Sequence, residues 1–377
     1  MIIKNGKVLN DEFEFVCADI LINNNKIHEI GEFNGEDIID ASECFVVPGF
    51  VDTHMHSAVG KTFIDFDDET YEKITKFEAE NGTTSLVPAI SAAPKQKLLS
   101  CIEYMRECTK KDKEGCAKVY GMHLEGPFFA EKYKGAHLPE NIRNTDLKEF
   151  KEYLEVADDC IKIITLAPEL PNADEVIKEA VQSGVVVSIG HTDATYEKVL
   201  HAVEIGASRG THLFNAMSPM NHRSPGTVGG LLFSSAKPEI ICDFFHVHKD
   251  VVKMVYELKG SDNIIMITDS ELGTGFPDGE YTVNGRKIII KDRKTYTTNG
   301  TIAGGTSCMI DGVRNLVSIG IPLQEAVKMA SKNPALSAGI YNEIGSISEG
   351  KIADIVILDN DYNIKNVILR GKPLKCN

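Results

Sequence analysis

Val185-Val186-Val187-Ser188-Ile189 is apolar at four of its five positions and does not alternate apolar with polar residues. A strand of this composition is buried on both faces, which is typical of a parallel sheet covered by helices. Cys44-Phe45-Val46-Val47 has the same character. These two stretches therefore predict an α/β architecture, in which parallel strands alternate with helices.

Apolar runs of strand length recur along the middle of the chain, with charged segments of helical spacing between them. The runs are 45–52, 83–90, 118–124, 161–167, 185–190, 209–213, 239–245 and 263–268. The clearest helical segments are 69–81, 95–113, 173–183 and 195–206, and a closing helix is expected at about 323–332. Eight strand–helix units predict a (β/α)8 TIM-like barrel.

Both ends of the chain have a different pattern, with short strands separated by turn residues. Ile20-Leu21-Ile22 near the start and Ile355-Val356-Ile357-Leu358 near the end are examples. They predict a small β-sandwich domain built from both termini, residues 1–47 and 345–377, around a barrel of residues 48–344. A further β-rich stretch predicts a β-hairpin insertion near 279–303, after the eighth strand.

Composition excludes several classes of protein. The chain has 377 residues and a net charge of −15, which argues against a nucleic-acid-binding surface but not against a small anionic substrate. It has no apolar run long enough to span a membrane and no signal-peptide core, so neither a membrane anchor nor secretion is expected. Its nine cysteines form no CxxC pair. Reduced thiols in the cytoplasm are the expectation.

Polar residues that bind metals follow most of the predicted barrel strands. They are His54 and His56 after the first strand, Glu125 after the third, His191 after the fifth, His212 at the end of the sixth, His246 after the seventh and Asp269 after the eighth. The carboxyl ends of barrel strands open on one face, where active sites lie, so these residues converge. Imidazoles and carboxylates suit a divalent metal such as zinc.

Each of these residues also has an ordinary structural explanation. The His54-Met55-His56 pair points to one side of a strand but is a weak signal alone, and a histidine such as His191 is often a satisfied core residue. Asp269 could cap a helix. Together, however, they are hard to explain as independent features. We expect His28 and His201 to be structural, and the pattern assigns no role to His248.

Several motifs resemble those of a known family. They are 48–56 (PGFVDTHMH), 123–128 (HLEGPF), 134–137 (KGAH), 190–195 (GHTDAT), 211–217 (THLFNAM), Thr268-Asp269 and Ala303-Gly304-Gly305, with closing elements at 333–335 and 350–354. They resemble the amidohydrolase superfamily and, within it, the sugar-phosphate deacetylases that act on N-acetylglucosamine 6-phosphate. The HxH pair indicates only the superfamily, whereas 123–128, 134–137 and 211–217 indicate the deacetylases.

The resemblance implies roles for individual residues. Glu125, His191 and His212 correspond to the principal metal ligands, and His54 with His56 to a pair that holds a second metal in some members. One or two divalent ions are therefore expected, zinc first, with iron(II) or others as alternatives. Asp269 corresponds to the catalytic acid and base. The implied substrate contacts are His137, Asn215, Ala216, Arg223, His246, Ile302, Ala303 and Gly304.

The implied reaction is metal-dependent hydrolysis of the acetamide of N-acetylglucosamine 6-phosphate. Relatives of this type are commonly homodimers, in which the phosphate-binding arginine can come from the partner. Three alternatives stay open: the galacto epimer of the substrate, a cyclic-amide hydrolase, and a non-catalytic sugar-phosphate sensor. Many cyclic-amide hydrolases carry a carboxylated lysine after strand four, where this chain has Ala167-Pro168-Glu169.

Overall fold

The computed structural model describes residues 1–283, 286–291, 294–297 and 305–374. The first strands of this part are β1 (Ile2–Leu9), β2 (Phe15–Asn23), β3 (Lys26–Gly31), β4 (Ile38–Asp40) and β5 (Phe45–Pro48). The middle strands are β6 (Phe50–Asp52), β7 (Ser57–Ala58), β8 (Lys61–Thr62), β9 (Thr83–Leu86), β10 (Ala89–Ser91), β11 (Lys118–Val119), β12 (Met122–Glu125), β13 (Ile161–Leu166), β14 (Val186–Ile189), β15 (Arg209–Gly210), β16 (Lys237–Ile241) and β17 (Ile265–Ile267). The last are β18 (Gly279–Val283), β19 (Arg286–Lys291), β20 (Lys294–Thr297), β21 (Ile355–Leu358), β22 (Ile364–Leu369) and β23 (Lys372–Pro373).

Helices separate most of the middle strands. They are α1 (Asp68–Glu80), α2 (Lys95–Lys110), α3 (Leu147–Ala157), α4 (Ala173–Gln182), α5 (Tyr196–Glu204), α6 (Gly226–Phe233), α7 (Lys249–Lys259), α8 (Met309–Ser318), α9 (Leu323–Ala330) and α10 (Lys332–Ser337). Single 3-10 turns lie at Phe63–Asp65, Glu131–Tyr133, Pro139–Asn141 and Ser261–Asn263. Among the helices of the described residues, none combines the length and the apolar character needed to cross a membrane.

The first and last strands form one eight-stranded sheet. Its order is β23-β22-β21-β5-β1-β2-β3, with β4 paired to β1. The antiparallel pairing of β21 with β5, which places Val356 opposite Val47, joins the two ends of the chain. Ile3, Ile20 and Ile357 belong to the separate apolar core of this sheet.

The middle strands close into a barrel. β6 pairs with β9, β9 with β11 and β10 with β12, and the parallel ladder then continues through β13, β14, β15, β16 and β17. The Asp269 amide donates to the His54 carbonyl oxygen at 2.9 Å, which links the eighth strand to the first. The helices cover the outside, as in α4, where Ala173, Val176 and Ala180 are buried at helical spacing. The predicted (β/α)8 TIM-like barrel is confirmed.

The strands differ in length from the expectation. The run 45–52 divides, because 45–48 pairs in the terminal sheet and only 50–52 in the barrel, and the run 209–213 is a strand only at Arg209–Gly210. At His212 φ is 29°, and a ladder cannot continue through that conformation.

The domain boundaries at 47/48 and 344/345 stay a prediction. Strands β18 to β20 form an antiparallel sheet within the predicted insertion.

A buried carboxyl group in α1 leads to a prediction about stability. Glu78 is 1% exposed, and burial next to Asp52 raises the pKa of its carboxyl from 4.5 to about 8. Between these pH values the unfolded chain releases the proton while the folded chain keeps it, so stability falls as the pH rises. Glu78→Gln removes this loss and should stabilise the protein by up to about 5 kcal/mol at pH 9.

Urea denaturation of the metal-free protein at pH 4.5 and pH 9 checks this. The wild type and Glu78→Gln should be nearly equally stable at pH 4.5, where the Glu78 carboxyl is neutral in the folded chain and only half ionised in the unfolded chain. An equal difference between Glu78→Gln and the wild type at both pH values would show that Glu78 does not titrate in this way.

Candidate active site and metal centre

Glu125, the last residue of β12, lies at the centre of a cluster of imidazoles. Its side chain is almost completely buried, and the ring nitrogens of four histidines near strand ends and of the loop residue His137 approach it. The distances are 3.3 Å from Oε1 to His54 Nε2, 3.1 Å to His191 Nε2 and 3.4 Å to His212 Nε2, and 3.4 Å from Oε2 to His56 Nε2 and 3.3 Å to His137 Nε2. The strand ends therefore bring together residues that are far apart in sequence.

The other ring nitrogen of four of these imidazoles has a partner behind it. His191 Nδ1 contacts the Tyr133 carbonyl oxygen at 2.9 Å, His212 Nδ1 that of Asn215 at 3.1 Å, His56 Nδ1 that of Ala89 at 3.1 Å, and His54 Nδ1 a Glu239 carboxylate oxygen at 2.7 Å. An oxygen acceptor at Nδ1 holds the proton there and leaves the Nε2 lone pair free. All four rings are therefore oriented so that Nε2 faces the centre, where a cation could replace the Nε2 proton.

Two overlapping groups of atoms around Glu125 could hold a metal ion, and a third group of possible ligands, His54, His123 and Glu239, lies behind them. Glu125, His191 and His212 form one group, and His54, His56 and Glu125 form the other, with all ligand atoms of a group within 4.8 Å of one another. The buried Nε2 of His54 makes no hydrogen bond within the described residues. Such nitrogen and oxygen donors fit a divalent cation, and Glu125 is shared by the two groups.

Asp269 lies beside the second group, just after β17. Its Oδ1 is 3.3 Å from His56 Nε2 and 3.6 Å from His54 Nε2. The side chain is 20% exposed, whereas Glu125 is 3% exposed, so Asp269 reaches the open side of the cluster. Burial acts to raise the pKa of Asp269, but the His54 and His56 imidazoles hold it below its ordinary value. The carboxyl group is therefore ionised and able to accept a proton.

The same charges affect the other groups of the cluster. Burial acts to raise the pKa of Glu125, but the His56 and His137 imidazoles hold it well below its ordinary value. Burial lowers the pKa of His191 to about 4. At His56 burial acts in the same direction, but the carboxylates of Glu125 and Asp269 prevail and raise the pKa to about 9. The cluster therefore combines carboxylates and imidazoles whose protonation a bound cation would change.

Three of the strand-end residues have backbone conformations that are unusual for residues with a side chain. The φ angles are 50° at His191, 29° at His212 and 49° at Asp269. Such conformations cost about 1–3 kcal/mol each and concentrate where function requires a particular side-chain direction. Here they turn the side chains from the strand ends towards Glu125.

The residues predicted to contact the substrate have different surroundings. His137 belongs to it, and His246 is held near Gly305 by Asp243, whose Oδ2 is 2.7 Å from His246 Nδ1. Asn215 donates its side-chain amide to the carbonyl oxygens of His212 and Leu213.

Ala216 accepts a hydrogen bond from the Thr192 amide at 3.3 Å. Arg223 is exposed, and within the described residues its guanidinium has no hydrogen bond or salt bridge. Ile302, Ala303 and Gly304 lie outside the described residues.

Three other histidines, His28, His201 and His248, belong to none of the candidate metal groups. His28 is exposed on β3, and His201 on α5 pairs with Asp174 at 2.7 Å. His248 precedes α7, and its Nδ1 accepts from the Asp250 amide at 3.3 Å.

Sequence reasoning missed four polar residues behind the cluster. Arg209 and Glu239 are completely buried and form an ion pair at 2.6 Å. His123 Nε2 and Thr165 Oγ1 share a hydrogen bond of 2.6 Å. Glu271 accepts a hydrogen bond from Ser57 Oγ at 3.0 Å. Charged residues inside the apolar strands 209–213 and 239–245 were a usable signal, because charges are almost never fully buried unless they are paired.

The amidohydrolase family model matches residues 45–374 of this chain. The chain belongs to the amidohydrolase family. A protein of Lysinibacillus sphaericus named N-acetylglucosamine-6-phosphate deacetylase is 37% identical to this amidohydrolase over 99% of this chain and 97% of its own. An N-acetylgalactosamine-6-phosphate deacetylase of Escherichia coli O157:H7 is 32% identical over 86% of each chain.

The fold of this amidohydrolase is also that of a solved deacetylase. The crystal structure of N-acetylglucosamine-6-phosphate deacetylase from Pasteurella multocida superposes with a TM-score of 0.92, at 31% identity, over 100% of this chain and 99% of that one. The likeness therefore includes the terminal sheet as well as the barrel.

Proposed function

We propose that this amidohydrolase removes the acetyl group of N-acetylglucosamine 6-phosphate, giving glucosamine 6-phosphate and acetate. The observation that carries the proposal is the buried Glu125 carboxylate, contacted by five imidazoles, with the ionised Asp269 beside it on the open side. A carboxylate and imidazoles that can hold a cation, next to a base, suit metal-assisted hydrolysis. The names of the relatives supply the substrate.

Glu125, His191 and His212 would hold one divalent cation, and His54 and His56, together with Glu125, would hold a second. A cation bound there lowers the pKa of water and polarises a carbonyl oxygen. We propose zinc, since imidazole nitrogen and carboxylate oxygen are typical zinc ligands. Glu125 and the imidazoles also exclude bulk water from the inner side of the reacting amide, because all of them are buried or nearly so.

Asp269 moves the proton in this mechanism. Its carboxylate accepts a proton from the attacking water and returns it to the amine as the C–N bond breaks. The second transfer is required because an unprotonated amine is a poor leaving group. His137 lies in the same cluster and donates to the acetyl oxygen as that oxygen gains negative charge.

The proposal extends to the state of the protein in the cell. We place it in the cytoplasm, because Cys17, Cys44, Cys101, Cys108, Cys116, Cys160 and Cys242 are free thiols. We also propose a homodimer, in which Arg223 reaches the substrate phosphate of the partner subunit. The exposed position of Arg223 supports this, because its guanidinium makes no hydrogen bond or salt bridge within the described part of its own chain.

The galacto epimer is the second candidate substrate, because one relative of 32% identity is named as a deacetylase of N-acetylgalactosamine 6-phosphate. The two sugars differ only in the direction of the C4 hydroxyl group. A cyclic-amide substrate has less support, since the carboxylate after strand four, Glu169, accepts from Thr192 and Asp193 and no lysine is present there.

Release of acetate by the purified, metal-loaded protein tests the proposal. The gluco substrate is compared with its galacto epimer and with unphosphorylated N-acetylglucosamine, each with and without a chelator. Chelator-sensitive release from the phosphorylated gluco substrate is expected to be fastest. No release from any of the three, with metal bound, would favour a sensor or a different amide substrate.

Arg223→Ala should separate phosphate binding from the chemistry. Loss of a charge-assisted contact of about 1.5–3 kcal/mol should raise KM for the phosphorylated sugar by roughly ten- to a hundredfold. Binding of the unphosphorylated sugar should not change. Steady-state kinetics with both substrates measures this, and an equal loss for both would remove Arg223 from the phosphate site.

A further inference from the structure

A buried ion pair crosses two neighbouring barrel strands behind the metal centre. Arg209 of β15 and Glu239 of β16 are both completely buried, and Arg209 Nε donates to Glu239 Oε1 at 2.6 Å. Removing two charges from water costs about as much as their attraction returns, and apolar residues in such places are often as stable. The pair therefore calls for an explanation other than stability.

The arginine side chain is fixed by two further contacts. Its Nη2 donates to Thr53 Oγ1 at 2.6 Å, and its Nη1 donates to Ser337 Oγ at 3.0 Å. Thr53 directly precedes His54, and Ser337 is the last residue of α10. Because the guanidinium is planar and held at three points, the carboxylate that it grips has one orientation.

The second oxygen of that carboxylate is directed at the metal centre. Glu239 Oε2 lies 2.7 Å from His54 Nδ1 and accepts from the His212 amide at 3.0 Å. Among the four imidazoles whose Nδ1 contacts are described above, His54 is the one with a carboxylate partner, whereas His56, His191 and His212 use backbone carbonyl oxygens. A side chain therefore sets the direction of His54.

We propose that Glu239, held by Arg209, is a positioning residue that makes His54 a metal ligand. It keeps the proton of His54 on Nδ1 and aims Nε2 at the space between Glu125 and Asp269, 3.3 Å and 3.6 Å away. Glu239 then determines how tightly the group of His54, His56 and Glu125 holds its ion. The inference rests on the metal centre of the proposed function.

Glu239→Gln tests this positioning role, because it removes the carboxylate without a large change in side-chain volume. The amide of the new side chain places an NH2 group against either Arg209 or the Nδ1 proton of His54, so one donor faces another. The ion bound by His54 should bind roughly 10–100-fold more weakly, the usual effect of removing the partner of a metal-bound imidazole. Calorimetric titration of chelator-treated protein with zinc measures the number of ions and the affinity of each.

Asp243→Asn is the matched control. Asp243 makes a carboxylate–imidazole contact of the same 2.7 Å length, but to His246, which belongs to neither candidate metal group. Both zinc affinities of this variant should equal those of the wild type.

Glu239→Asp provides a second variant in case the glutamine variant does not fold. It keeps the charge that Arg209 requires but withdraws the carboxylate from His54 by about 1.5 Å, one carbon–carbon bond. The same ion should again bind more weakly. Thermal unfolding of the metal-free proteins shows which variants are folded.

The titrations separate this inference from the proposed function. Weakening of one of two ions in the folded Glu239 variants, with no change in Asp243→Asn, supports it even if the wild type releases no acetate. Three results would each overturn it. The folded Glu239 variants could bind zinc with wild-type affinities, or Asp243→Asn could weaken zinc binding equally. The wild type could also bind a single ion whose affinity does not change when Glu239 is replaced. Acetate release by the wild type would stand in all three cases.

Discussion

Asp269→Asn lowers the turnover of the proposed deacetylation by at least roughly a hundredfold, the usual scale for loss of a general acid–base group. The amide has nearly the same shape as the carboxylate, but it neither accepts the proton of water nor returns one to the amine. The ionised carboxylate lies 3.3 Å from His56 Nε2, beside the candidate metal group of His54, His56 and Glu125. The loss should therefore appear in kcat, with the metal retained.

Acetate release and metal content, measured on the same preparation, check this result. Asp174→Asn is the control, because Asp174 contacts His201 at 2.7 Å on the surface, away from the cluster. That variant should keep both wild-type values. Near-normal turnover in Asp269→Asn would exclude the proton-transfer role, and loss of metal would show that Asp269 acts as a ligand instead.

Glu125→Gln should abolish stoichiometric metal binding and activity together. Glu125 belongs to both groups of candidate ligands, and it is the negative charge that the imidazoles surround. The neutral amide offers a weaker oxygen and no compensating charge. Because a metal centre supplies several kcal/mol of transition-state stabilisation, turnover should fall by at least roughly a thousandfold.

Metal analysis after dialysis distinguishes this effect from the effect of Asp269→Asn, which retains metal. The fold should survive, since glutamine has nearly the same volume as Glu125 and leaves the apolar core residues of the barrel unchanged. Asp174→Asn again provides the comparison. A Glu125→Gln protein that binds metal as the wild type does would contradict the assignment of Glu125 as the shared ligand.

Much of this arrangement was predictable from the order of residue types along the chain. Runs such as 185–190 have no polar face, so they predicted strands of a covered parallel sheet, and that prediction is confirmed by the barrel. Since parallel strands end at one face, the position of Glu125, His191 and Asp269 at strand ends predicted their convergence. The structure brings them together around Glu125.

Other features could not be predicted because they depend on contacts between distant residues. The chain leaves β15 at Gly210, three residues before the end of the predicted strand, because the left-handed backbone at His212 turns that side chain inward. His137 does not lie at the end of a strand. Only the packing of its loop places its Nε2 3.3 Å from the Glu125 carboxylate.

The sequence by itself determined the strand order and the set of polar residues at the strand ends, because burial on two faces and chain direction are local properties. The tertiary structure alone decided which nitrogen of each imidazole is free, because this depends on the oxygen that packs behind the ring. Glu239 lies 185 positions from His54 in sequence and 2.7 Å from it in space. Closure of the barrel brings such distant hydrogen-bond partners together, and no local pattern in the sequence predicts them.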